Sequence, residues 1–364
     1  MKPNPHQTGR RDFLLKSMAA LAALAVSPVI LPRSLTGNNP ESVVSIVRIS
    51  NGRIDLAVEK AIDLLGGIAK VTEGKQKIML KPNLVSDDPN STTKPDVIRT
   101  LAKMMKAAGK EVLIGEGSAA ASGINADENG VYYTRKPALL DKLQQQVFDK
   151  LGYSDLAKQL DIELVNLHTG PMTDVLVPGG NFHRKLTLHR SLSDIDLLCS
   201  VPMMKTHSLA TVTLGLKNVI GLYPGSAYCS VRSCIHTEAE HGGSPGIAYE
   251  ILDMVRANKM GLTVIDGSIS MEGQGPSSGT LVNTNLIIAG TNPLATDMVA
   301  AATMGFQPDE VPVFNVARKA GMHPLSLGDI EIRGQSIESV RRVFARATVV
   351  PWHSVSEFFG AKEV

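Results

Sequence analysis

Aromatic residues make up only 4% of this 364-residue chain, with a single Trp. The core must therefore be aliphatic and alanine-rich, within an ordinary globular balance of 43% hydrophobic and 20% charged residues. Cysteine is scarce: there are three, Cys199, Cys229 and Cys234, and no Cys-x-x-Cys-x-x-Cys run. The chain cannot supply a four-cysteine iron–sulfur cluster by itself, so none is expected. There is no Gly-x-x-x-x-Gly-Lys-Ser/Thr loop, which argues against ordinary ATP binding. A basic excess is missing too. The formal charge is +2, but residues 1–33 hold five basic residues against one acidic, and the remainder sets 32 basic against 34 acidic. Nucleic-acid binding calls for a basic excess with a patch, so nucleic acid is not an expected partner. No internal repeat of fixed period is present.

What is present begins at the N-terminus. Thr8-Gly9-Arg10-Arg11-Asp12-Phe13-Leu14-Leu15-Lys16 precedes an Ala/Leu-rich run over 18–31. That run is shorter than the about 20 apolar residues of a membrane span. Paired arginines before Phe-Leu resemble the bacterial twin-arginine export signal. The resemblance implies the twin-arginine translocation machinery as a partner and a periplasmic or otherwise extracytoplasmic location. An uncleaved signal would leave the protein membrane-anchored. Ala23-Leu24-Ala25 has the small-x-small form of a cleavage site but leaves a very short apolar region. The route carries folded cargo, often with a cofactor already inserted. Residues 28–40 read as a linker. The expected organisation is a signal and linker over 1–36, an α/β domain over 43–333 and a C-terminal extension over 334–364.

Apolar periodicity predicts strands at 43–49, 77–81 and 111–114, with helices over 54–68 and 96–108 between them. This βαβαβ order predicts an α/β fold: a mostly parallel sheet flanked by helices. Helices follow at 138–151 and 153–160, and a strand at 162–167. Strands at 172–177 and 185–188 around Pro178-Gly179-Gly180 read as an inserted hairpin, with His183 and His189 on its surface or strand faces. Beyond it come a strand at 195–201, a helix over 250–258 starting near Pro245, and strands at 262–265 and 284–289. Helices over 292–304, 307–321 and 338–344 and a strand at 330–332 complete the reading. Gly115-Glu116-Gly117-Ser118-Ala119-Ala120 fits a loose dinucleotide pattern, but no helical period follows it, so that reading fails.

The chain is organised around 201–225. There an apolar strand ends at Pro202, then come Lys205, Thr206 and His207, and then Lys217 and Asn218 among glycines. Lys81 and Asn83 flank Pro82 at another predicted strand end, Glu116 ends a third, and Asp266 follows a fourth. In a parallel sheet such ends share one edge, where open α/β folds bind ligands. Lysines and amide donors suit a small anionic ligand, a carboxylate or phosphate. Lys205, His207 and Asp266 are the candidate catalytic groups. Lys81, Asn83, Glu116, Thr206, Lys217, Asn218 and Glu272 are the candidate ligand-binding ones. Asp266, Glu272 and Asp297 with His207 offer donors for a divalent metal, or acid–base pairs, although Asp297 also fits the polar face of a helix. Cys229, Cys234, His236 and His241 have zinc-type side chains at unusual spacing; a disulfide or free thiols rank ahead of metal there. Cys199 reads as an inert core thiol. The cofactor is left open, and the protein is either an enzyme acting on a small anionic or metal-bound substrate or a non-catalytic binder of such a ligand.

A run of ordered motifs resembles the domain-of-unknown-function family 362 (DUF362) over roughly 43–321. They are Leu80-Lys81-Pro82-Asn83, Thr93-x-Pro95, Pro202-x-x-Lys205-Thr206-His207, Gly215-Leu216-Lys217-Asn218, Asp266-Gly267, Glu272-Gly273-x-Gly275-Pro276 and Asn292-Pro293-x-Ala295-x-Asp297. The resemblance specifies no reaction. Some members carry a ferredoxin-like module with iron–sulfur clusters, which this chain lacks.

Overall fold

A computed structural model describes residues 42–121, 125–127, 130–228, 246–348 and 362–363, with 125–127, 130–133 and 362–363 as backbone only. The twin-arginine motif, Cys229, Cys234, His236 and His241 lie outside the described residues.

The chain opens as β1 (Ser42–Arg48), α1 (Ile54–Leu64), β2 (Lys77–Pro82), α2 (Pro95–Ala107) and β3 (Glu111–Glu116). After an excursion come α3 (Pro137–Lys150), α4 (Tyr153–Leu160) and β4 (Glu163–Asn166). The hairpin is β5 (Met172–Leu176) with β6 (Lys185–His189), a separate two-stranded sheet. Then follow β7 (Leu197–Val201), β8 (Met203–His207), β9 (Thr211–Thr213) and the one-turn α5 (Gly215–Asn218). The rest is α6 (Gly246–Ala257), β10 (Met260–Glu272), β11 (Thr280–Val282), β12 (Leu286–Gly290), α7 (Pro293–Thr303), α8 (Pro312–Lys319) and β13 (Ile330–Gly334).

The main sheet runs β13-β1-β12-β10-β7-β2-β3-β4, with β8, β9 and β11 attached beside β10. Along that path only β12 runs against its neighbours. The expected α/β fold, mostly parallel and helix-flanked with an inserted hairpin, is therefore observed. Two apolar cores sandwich the sheet, and the period-2 pleat divides each strand between them. Ile78, Leu80, Val112, Ile114, Cys199 and Val264 face the core shared with α1, α2 and α4. Met79, Leu113, Leu198 and Ile265 face the core shared with α6, α7 and α8. The Cys199 thiol is fully buried, and burial pushes its pKa far above the ordinary range, as an inert core thiol requires.

Four elements differ from the sequence reading. The polar residues after Pro202 form a strand, β8, rather than a loop. Pro202 marks the switch: its carbonyl accepts from Asp266 N–H at 2.8 Å, and β8 then pairs with the second half of β10 across a register shift. For the same reason the strand predicted to end at Ile265 continues through Asp266-Gly267 to Glu272. Gly267 is a close approach rather than a turn, since a Cβ there would lie 2.9 Å from the Leu286 carbonyl. The expected helix over 338–344 is one turn, Ile337–Val340, followed by an extended segment over 341–348 in which Phe344 alone is buried. The helix expected over 307–321 is broken at Pro312, which opens α8.

The hairpin is pinned by one carboxylate. Asp253 of α6, fully buried, accepts from Asn181 N–H (2.7 Å) and Nδ2 (3.0 Å), Phe182 N–H (2.7 Å) and His183 N–H (3.0 Å). Asp253→Ala strands those donors and should cost about 3 kcal/mol in urea unfolding, since buried groups without partners lose about 1–3 kcal/mol and more near charge. Hydrogen exchange should accelerate first in 172–189.

Candidate functional site

Lys81 ends β2 on the face that carries α5. Its ammonium is 1% exposed and donates three hydrogen bonds: to Glu116 Oε1 (2.7 Å), Asn218 Oδ1 (3.1 Å) and the Pro82 carbonyl (3.0 Å). Glu116, 2% exposed at the end of β3, also accepts from Gly117 N–H at 2.9 Å and, on Oε2, from Leu84 N–H at 2.9 Å. Burial lowers the Lys81 pKa, and the Glu116 carboxylate opposes that shift. Two glycines make the pair sterically feasible. A Cβ on Gly221 would sit 2.4 Å from Glu116 Oε1 and 2.8 Å from Lys81 Nζ, and one on Gly117 would sit 2.7 Å from the Gly221 carbonyl.

Asn218 is held by its own amide, which donates to the Lys81 carbonyl (3.1 Å) and Ser200 Oγ (3.0 Å). It sits on α5 with Lys217, and α5 is placed by Asp297. That carboxylate accepts from Gly215 N–H (2.8 Å) and Leu216 N–H (2.7 Å). Asp297 is 1% exposed, so it is not the solvated polar face of α7 that its spacing allowed. Burial raises its pKa to about 7 against those two N–H bonds.

Lys81, Asn83, Glu116, His207, Lys217 and Asn218 line one cavity of about 30 Å³. Thr213, Gly117, Gly221 and Pro276 complete its polar and backbone walls, with Leu84, Val85 and Ile220 as apolar lining. The volume suits a water or a small ligand headgroup. Two buried oxygens of this lining, Asn83 Oδ1 and Thr213 Oγ1, have no hydrogen-bond partner. His207 Nδ1 accepts from Leu209 N–H (3.0 Å) and Ala210 N–H (3.2 Å), which holds the proton of a neutral ring on Nε2.

The other candidates lie outside the lining. Lys205 Nζ donates to the carbonyls of Ser91 (2.7 Å) and Pro276 (3.0 Å) behind the wall. Thr206 Oγ1 donates to the Gly273 carbonyl at 2.8 Å. Asp266 faces the opposite core: Oδ2 accepts from Lys94 N–H (2.8 Å) at the start of α2, and Oδ1 from Ser268 N–H (3.0 Å) and Oγ (2.6 Å). Burial raises the Asp266 pKa, and those bonds oppose the rise. Glu272 Oε2 accepts from Ala345 N–H at 3.2 Å. Asp266, Glu272, Asp297 and His207, which offered donors for a divalent metal or acid–base pairs, are not gathered, because each carboxylate is committed to different backbone donors. Among the described residues no group of three or more His, Cys, Asp or Glu side chains could hold a metal ion. Thr213, Gly221 and Pro276 were missed as lining residues. Thr213 and Gly221 lie within the 201–225 stretch, but nothing in their local pattern marks them.

His168, also missed, joins two segments beside the site. Its Nδ1 accepts from Gly225 N–H (3.0 Å), and its Nε2–H donates to the Ser118 carbonyl (2.8 Å). Burial lowers its pKa from 6.5 to about 4. Below pH 6.5 the unfolded chain takes up a proton that the folded chain refuses, so this contribution to stability is lost as pH falls towards 4. Asp297 works the other way, its contribution falling as pH rises through about 7. Urea unfolding of wild type and His168→Gln at pH 7 and pH 4.5 should give a gap that narrows at the lower pH. Lys81→Met or Glu116→Gln alone should cost about 3–5 kcal/mol, because each leaves a buried charge or its donors unmatched, whereas the double variant should lose less than the sum.

The family described as Domain of unknown function (DUF362) matches residues 78–302, which include every cavity residue. A thylakoid-associated protein of Synechocystis sp. is 24% identical over 287 residues, covering 77% of this chain and 80% of that protein. Among solved structures, the lactate racemase apoprotein from Thermoanaerobacterium thermosaccharolyticum aligns with 19% identity and a TM-score of 0.40, over 69% of this chain and 54% of that one. A Thermotoga maritima protein aligns with 13% identity and a TM-score of 0.33, over 61% and 51%. This chain spans about half the length of both structures. With more than half of its length matched in one continuous segment that holds the whole cavity, the chain belongs to the DUF362 family.

Proposed function

We propose that this protein is exported and binds a small anionic ligand in the Lys81–Glu116 cavity, on which it acts as an enzyme. The observation that carries this reading is the buried, unpartnered Thr213 hydroxyl, a donor to an anion, in one cavity with Lys217 and His207; Asn83 Oδ1, an unpartnered acceptor, suits a hydroxyl or N–H of the same ligand. Burying a hydroxyl without a partner costs about 1–3 kcal/mol in proteins, so a bound polar group is the natural complement. The Lys81 and Glu116 charges offset one another, and Lys217 adds a positive charge to the lining. His207 is the proton carrier in this reading, with Lys217, Asn83 and Thr213 orienting the ligand. Lys205 and Asp266 hold the walls. A divalent metal, where one takes part, arrives with the substrate.

One observation favours a non-catalytic binder instead. Lys81 and Glu116 spend their hydrogen-bonding capacity on each other, Asn218 and backbone, so neither is poised to exchange a proton with a ligand. Calorimetry with acetate and inorganic phosphate, each with and without Mg2+, tests the site. Thr213→Val should weaken binding by about tenfold while leaving the melting temperature unchanged or higher, since it removes an unpaired buried hydroxyl of nearly the same shape. Undiminished binding would refute the site. A turnover screen of small carboxylates and phosphate esters then separates the two readings: His207→Gln abolishes turnover in an enzyme but leaves a binder's affinity within a few-fold.

Export rests on Arg10-Arg11 before Phe13-Leu14. The Synechocystis relative is thylakoid-associated, which is compatible with an extracytoplasmic place for this chain. Among the described residues no helix is long and apolar enough to cross a membrane. Replacing Arg10 and Arg11 by Lys should leave precursor in the cytoplasm; export at the wild-type level would refute the twin-arginine route. Membrane fractionation of the wild type distinguishes a cleaved signal from an anchor.

A further inference from the structure

The wall of the cavity formed by Pro276 belongs to a loop that follows β10, and that loop is gripped from two sides. On the cavity side β8 holds it. Thr206 Oγ1 donates to the Gly273 carbonyl (2.8 Å), Ser208 N–H to the Gly275 carbonyl (3.1 Å) and Lys205 Nζ to the Pro276 carbonyl (3.0 Å). The approach is so close that a Cβ on Gly275 would fall 1.9 Å from the Thr206 carbonyl oxygen. On the outer side the extended segment 341–348 holds it. Gly273 N–H donates to the Ala345 carbonyl (2.9 Å), Ala345 N–H to Glu272 Oε2 (3.2 Å) and Thr348 N–H to Gln274 Oε1 (2.7 Å).

That outer segment is held by backbone bonds and by exposed side chains, with Arg342 also 3.8 Å from Glu272 and Arg346 donating to the Gly305 carbonyl at 3.2 Å. Arg342 and Phe344 donate their N–H groups to the carbonyls of Thr303 (2.8 Å) and Met304 (3.0 Å) at the end of α7. Arg346 lies over the Phe306 ring, 3.4 Å from its centre, and pairs with Glu310 at 3.0 Å. Both charges of that pair are about two-fifths exposed, so the pair adds little. Phe344, 2% exposed, is the one side chain of the segment sunk into the core, while Val343 beside it is 70% exposed. An exposed segment with one apolar anchor opens locally at lower free energy than the sheet beneath it.

We propose that residues 341–348 are a releasable strap, anchored by Phe344, that sets the position of the Pro276 wall and so controls ligand affinity at the cavity. Glu272 is then a positioning residue that clasps the strap rather than a ligand contact. The control of affinity rests on the anion-binding reading above; the strap's mechanical role does not.

The test uses the mature full-length chain. Hydrogen exchange is followed by mass spectrometry in peptides covering 270–279 and 286–290, for wild type, Phe344→Ala and a milder variant, Gln274→Ala with Arg346→Ala, whose sites are exposed. Exchange over 270–279 should rise at least tenfold in Phe344→Ala and several-fold in the milder variant, with 286–290 unchanged. Affinity for acetate or inorganic phosphate should fall about tenfold in Phe344→Ala. Exchange over 270–279 that stays at the wild-type rate in both variants, or that rises only together with 286–290, overturns the strap. If exchange rises as expected but neither anion binds the wild type, the anion-binding reading fails while the strap stands. If the wild type binds and both variants keep its affinity and exchange rates, the strap fails and the cavity reading stands.

Discussion

The buried pair of Lys81 and Glu116 is the constraint around which the carboxyl edge of the sheet is arranged. Two charges removed from water are unfavourable by several kcal/mol each unless geometry and extra hydrogen bonds offset the loss. Here the offset draws in much of the site. Asn218 must be present to receive Lys81, so α5 must begin where Asp297 fixes it. Leu84 and Gly117 must aim their N–H groups at Glu116, so the chain must turn immediately after β2 and β3. Gly221 must lack a side chain, because its backbone lies against both charges. The cavity is the small space left over once these demands are met.

Most of the buried carboxylates among the described residues serve backbone donors. Asp297 holds the start of α5, Asp266 the start of α2 and Asp253 the hairpin, while the partly buried Glu272 accepts from the segment over 341–348. Each replaces water at N–H groups that would otherwise be stranded. This division of labour leaves the cavity with lysine, imidazole, amide and hydroxyl groups and one neutralised carboxylate. Among the described residues the carboxylates form no metal-holding group of three or more with other Asp, Glu, His or Cys side chains.

The walls of the cavity differ in how firmly they are held. Lys81, Glu116 and Asn218 are locked from sheet to helix by buried bonds. Pro276 is carried by a loop whose outer support is a largely exposed strand of chain. Local opening free energies follow that gradient of burial, so the ion pair is the firmer side of the cavity and the Pro276 loop the looser one.

How much was legible follows from the range of each interaction. Local periodicity determined the βαβαβ start, the helices opened by Pro95 and Pro293, the hairpin and the parallel sheet, because those patterns repeat every two or 3.6 residues. Predicted strand ends and the ordered motifs singled out Lys81, Asn83, Glu116, His207, Lys217 and Asn218, and the structure gathers all six around one cavity. Which face of the sheet each side chain took was decided only in three dimensions. Lys81 and Asp266 share an edge, but the pleat directs Lys81 towards α5 and Asp266 towards α2, and one residue of register reverses that choice. The strand after Pro202 and the full length of β10 were hidden for a related reason. Lys205, Thr206 and Asp266-Gly267 look like turn chemistry locally and become strand only through pairing between β8 and β10, some sixty residues apart in the chain. Thr213 and Gly221 carry no local mark, and Pro276 is marked only as part of the Glu272-Gly273-x-Gly275-Pro276 motif; all three line the cavity because tertiary packing, which no sequence window contains, brings their segments against the ion pair.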